Sequence, residues 1–112
     1  MKKYFHRKLV RDRIPEIIEA AGDSSRASIL GVREYKKLLR KKLVEEAKEL
    51  TTVKKGEIKK ELADVLQLVK SIAESEGLSI GGVEAERRKR EKLRGAFKKR
   101  IFLIWSNKPA GR

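Results

Sequence analysis

The chain has 112 residues, no cysteine, a single histidine (His6) and a formal net charge of +14. This composition leaves no disulfide, no thiolate metal site and no histidine-rich metal site, and no apolar run approaches the roughly 20 residues that span a bilayer. The length fits one domain, residues 1–112, with a modest core, and the charge calls for an anionic partner: nucleic acid, nucleotide phosphates or a membrane surface.

The charge is uneven. Residues 84–112 carry 11 Lys/Arg against 3 acids, whereas residues 1–22 carry 6 against 3 and residues 23–83 carry 13 against 10. The opening MKKYFHRKLV is charged throughout and lacks the apolar centre of a signal peptide, so a soluble cytoplasmic protein is the default expectation.

In chain order, Pro15 followed by EIIEAAG predicts a short helix with proline in its first turn, stopped at Gly22. DSSRAS, residues 23–28, is a loop, and SILG after it has the character of a short extended piece. Residues 33–53 have helical periodicity, KKGE at 54–57 breaks it, and a second helix runs from about 57 to 76 and ends at Gly77. GLSIGG is another break, followed by a very basic helix over 83–94. FKKRIFLIW is β-branched and aromatic enough for a strand, with Phe97 and Trp105 expected in the core, and NKPAGR reads as a loose tail. The predicted fold class is mainly all-α: an antiparallel helical hairpin at the centre of a small bundle, with room for one or two short strands.

The hairpin carries the chemistry. With Leu39 at zero on a helical wheel, Leu43 falls at about 40°, Leu50 at about 20° and Val53 at about −40°. Glu46 falls at about −20°, inside the apolar stripe, with Glu49 on its flank at about −80° and Glu45 further round. With Ile58 at zero on the second helix, Val65, Val69 and Ile72 lie within about 40°, Glu61 at about −60° and Asp64 at about −120°. Taking residue 55 as the centre of the turn, Glu49 and Glu61 stand at one height and Glu46 and Asp64 at another, so the four carboxylates should converge. Converging buried carboxylates repel and are costly to desolvate. Protonation, pairing with Lys or Arg, or a hard divalent cation would make them tolerable, and an all-oxygen set suits Mg²⁺ or Mn²⁺. The competing explanation is an ion-pair network with Lys48 or Lys60.

EEAKE at 45–49 followed by ELAD at 61–64 resembles the EExxE…ExxD signature of the all-α nucleoside triphosphate pyrophosphohydrolases, which include MazG-type enzymes, dimeric dUTPases, dCTP pyrophosphatases and phosphoribosyl-ATP pyrophosphohydrolases. KLVRDRIPEIIEAAG at 8–22 and KREKLRGAFKKRIFL at 89–103 are similar to the opening and closing segments of a small MazG-like branch of predicted house-cleaning enzymes. Ala96 departs from that branch, where a second glycine is common.

The resemblance implies Mg²⁺ held by Glu46, Glu49, Glu61 and Asp64, and hydrolysis between the α and β phosphates of a nucleoside triphosphate. It leaves the general base among Glu45 and Glu49, with Lys89, Arg94 and Arg100 on the phosphate tail and Arg11 and Arg13 as weaker candidates. It also implies at least a dimer, because a hairpin this small leaves apolar surface uncovered. Phosphoribosyl-ATP pyrophosphohydrolase is the nearest alternative within the class. Outside it stand a basic nucleic-acid-binding protein, which leaves the inward-pointing acids unexplained, and a non-catalytic helical partner, expected to show neither metal affinity nor hydrolysis.

Overall fold

The fold is taken from a computed structural model, which describes residues 2–109. Four α-helices follow in order: α1 (Ile14–Ala20), α2 (Val32–Leu50), α3 (Ile58–Ser75) and α4 (Ile80–Arg94), with a 3₁₀ turn at Lys55–Glu57 leading into α3. The chain divides into two units, one ending at Ile80 and the other beginning at Gly81.

In the first unit, α2 and α3 pack against each other as the expected hairpin. Leu39, Leu68 and Ala73 are its buried apolar residues among those described. Helix α2 stops at Leu50, three residues before the predicted end. The reason lies in Thr51 and Thr52, whose hydroxyls donate to the carbonyls of Lys48 and Glu49 at 2.6 and 3.4 Å, drawing the backbone out of the helical ladder. At the far end of α3, Gly77 adopts φ 75°. The Leu78 N–H then reaches the Ala73 carbonyl at 2.9 Å and the Gly77 N–H reaches Glu74 at 3.1 Å, a Schellman closure that glycine permits at little cost. Gly22 ends α1 in the same way, with φ 87° and the Asp23 N–H bonded to Ile18.

The predicted face of α2 is the packed one: Leu39 is buried, and Leu43, Glu46 and Leu50 are half-buried. Helix α3 is rotated from expectation. Its apolar arc runs from Leu68 at about −80° to Leu66 at about 80°, wider than one neighbouring helix covers. The side toward Leu68, Glu61 and Ile72 is covered, while Leu62 and Leu66 remain 50% and 60% exposed.

Helix α4, most of it in the second unit, begins at Ile80, earlier than predicted. The break is confined to Glu76–Ser79, and Ser79 stands at the position before a helix where serine is favoured. Among the described residues no strand forms. SILG and residues 101–106 have no regular structure, because an extended segment without a partner leaves its N–H and C=O groups unpaired. Phe97 and Trp105, expected in a core, are 96% and 79% exposed; among the described residues this unit has no second helix or sheet to cover them. Residues 110–112 of the predicted tail lie outside the described residues. Among the described residues no helix is long and apolar enough to cross a membrane.

Candidate metal centre

Glu46 projects from α2 into the hairpin interface, and Glu61 and Asp64 project from α3 one turn apart. One carboxylate oxygen from each lies within 4.8 Å of the other two, and all three residues are half-buried. Glu61 Oε2 is buried and has no hydrogen-bond partner. A buried carboxylate oxygen with no donor is costly. Three oxygen donors converging on one point form the kind of set that a hard cation satisfies.

The electrostatics agree with crowding. The Glu46 carboxyl is raised above its ordinary 4.5, first by burial, then by a hydrogen bond it donates to Glu61 only when protonated, and by repulsion from Glu61 and Asp64, with Lys42 partly opposing the rise. Asp64 is met by Arg11, whose guanidinium Nη2 donates to Oδ1 at 2.7 Å. Arg11 reaches it from the segment preceding α1, where the Ile14 N–H bonds the Arg11 carbonyl and starts that helix. The ion-pair explanation by Lys48 or Lys60 is not what the structure holds. Lys60 pairs with Glu57 at 3.3 Å, and Lys48 forms no ion pair among the described residues.

Glu49, expected as a fourth ligand, is exposed and stands outside the group. Counted from the helix ends, Glu49 is about 1.5 Å from the end of α2, Glu46 about 6 Å, and Glu61 and Asp64 about 4.5 and about 9 Å from the start of α3. Glu46 therefore sits level with the α3 pair, while Glu49 is left at the rim. The early stop of α2 moves the centre of the connection by a residue and produces this offset. Glu45 is also exposed, on the side of α2 that faces the amino-terminal segment.

Of the cations proposed for the phosphate tail, Arg11 belongs to this unit and is already engaged with Asp64. Arg13 pairs with Glu16 at 2.8 Å. Lys89 and Arg94 are exposed on α4, and Arg100 follows it in a left-handed conformation, φ 56°, its N–H bonded to the Phe97 carbonyl. Sequence reasoning passed over Lys42, although its i, i+4 spacing to Glu46 was a readable signal.

No protein family, no curated protein and no solved structure matches this chain.

Proposed function

We propose that the chain is a Mg²⁺-dependent nucleoside triphosphate pyrophosphohydrolase, converting a triphosphate and water to a nucleoside monophosphate and pyrophosphate. The observation that carries this reading is the Glu46–Glu61–Asp64 group with its buried, unpartnered oxygen. The EEAKE…ELAD resemblance, which places three of its four implied ligands at these residues, supports it. Glu46, Glu61 and Asp64 would hold the cation, with Mn²⁺ a workable substitute. The bound ion supplies charge neutralisation at the phosphate oxygens and an ordered water.

Glu45 and Glu49, both solvent-accessible on α2, are the carboxylates available to accept the water's proton. Arg11, released from Asp64, gains a phosphate oxygen as an alternative partner for its guanidinium. The resemblance adds Lys89, Arg94 and Arg100 as cations for the phosphate tail. Non-canonical nucleotides fit the house-cleaning role that the resemblance implies, and a homodimer covers the exposed side of α3.

The test is pyrophosphate release from a panel of nucleoside triphosphates, in Mg²⁺ or EDTA, with Glu61→Gln beside the unmodified protein. Release is expected to require the metal, and Glu61→Gln to weaken metal affinity by roughly 10–100-fold or more while remaining folded by circular dichroism. Folded protein that releases no pyrophosphate from any nucleotide in Mg²⁺ refutes the proposal.

A further inference from the structure

The amino-terminal segment and α2 enclose a cleft of about 30 Å³, lined by Leu9 and Leu38 together with Arg7, Lys8, Lys41, Lys42 and Glu45. Four cations thus meet a single acid. On the same helix, by contrast, Lys36 and Arg40 are paired, reaching Glu76 at 3.4 and 3.3 Å. Arg7, Lys8, Lys41 and Lys42 form no ion pair among the described residues. The segment bends sharply here, with Arg7 at φ 47°, a left-handed conformation that costs a non-glycine residue free energy. Four cations are gathered here against one lining acid, Glu45, and an anion would relieve the excess.

The cleft adjoins the carboxylate group through two residues. Lys42 lies one helical turn before Glu46 on α2, and its charge acts on that carboxyl. Arg11, four residues beyond Arg7 on the same segment, bonds Asp64. Acidic and basic sites therefore share one segment and meet on α2 at Lys42, about 40° from Glu46 on the helix, with Lys41 further round. That is the arrangement a metal-bound polyphosphate needs, with the cation on the carboxylates and the remaining phosphoryl groups on the lysines and arginines.

We infer that the cleft formed by Arg7, Lys8, Lys41 and Lys42 is the polyphosphate-binding site of this protein. It takes the phosphoryl groups of a nucleotide whose metal lies at Glu46, Glu61 and Asp64; in naming a nucleotide, the inference rests on the hydrolase reading above. The lining favours this ligand over a nucleic-acid strand, which requires a groove with stacking aromatics along it. Tyr4 and Phe5 are not among the cleft's lining residues.

Inorganic tripolyphosphate in Mg²⁺ is the probe, titrated calorimetrically into the full chain. An Arg7→Gln/Lys41→Gln double variant should bind at least about 30-fold more weakly, as expected for losing two charge-assisted contacts. Lys70→Gln, which removes one exposed charge from α3, should change affinity by less than about 3-fold, the scale of a screened surface charge. Folding of both variants is checked by circular dichroism. Unchanged affinity in the double variant, or equal weakening in both, overturns the inference.

The hydrolase reading is scored separately by pyrophosphate release. If the unmodified protein cleaves triphosphates and the double variant keeps its KM, the cleft assignment fails and the hydrolase stands. If no triphosphate is cleaved yet tripolyphosphate affinity falls as expected, the cleft is a polyphosphate site and the hydrolase reading fails.

Discussion

Two glutamates titrate in opposite directions, and each reports its surroundings. Glu46 holds its proton more tightly in the fold than in the unfolded chain, chiefly because it is buried among like charges. The native state therefore binds more protons above pH 4.5, and stability falls as pH rises through the raised value. In EDTA, Glu46→Gln should remove this loss and raise the melting temperature at pH 7 above that of the parent. Thermal melts at pH 4 and pH 7 check it, and a variant less stable than the parent at pH 7 contradicts the crowding argument. Glu76 is the reverse case: hydrogen bonding to Lys36 first, and the charges of Lys36 and Arg40, hold its carboxyl below 4.5. Its contribution is present above pH 4.5 and lost as pH falls through the lowered value. Glu76→Gln should accordingly lower the melting temperature at pH 7 and leave it nearly unchanged at pH 2.

At the scale of the helices, the hairpin was legible because period and punctuation agree: stripes of helical spacing on either side of a glycine-containing break. Glu46 in the stripe and the pairing of α2 with α3 followed from that alone. The exclusion of Glu49 was not legible, because it depends on where α2 stops. Thr51 and Thr52 decide that through hydroxyl bonds that periodicity does not register. Nor was the rotation of α3, since an apolar arc of roughly 160° offers several faces and only the partner selects one. The unselected side is the basis for expecting a second copy. Ile58, Leu62 and Leu66 line it at four-residue spacing, all exposed. Leu66→Lys should shift sedimentation equilibrium from dimer to monomer and abolish the concentration dependence of the melting temperature. A parent protein that sediments as a monomer at every concentration refutes the dimer.

Over the whole chain, three buried apolar residues among those described are a small core for 112 residues. Ion pairs supplement it in the first unit: Arg11 on Asp64, and Lys36 and Arg40 on Glu76. Ion pairs this exposed are individually weak and salt-sensitive, so ligands that add contacts should matter more here than in a well-filled domain. The run Ile101–Trp105 has a colloidal consequence. Five consecutive apolar residues lie open to solvent, in a composition rich in β-formers that favours intermolecular strand pairing. Lys98, Lys99 and Arg100 precede the run and Lys108 follows it, which is how gatekeeping charges are placed. Mutual repulsion between molecules at +14 is thus the force that keeps these segments apart, and it is screened over about 10 Å at roughly 0.1 M salt. Light scattering across a sodium chloride series should show the protein dispersed at low ionic strength and clustering as salt is added, the opposite of ordinary salting-in, and replacing Phe102 and Ile104 with threonine should flatten that response.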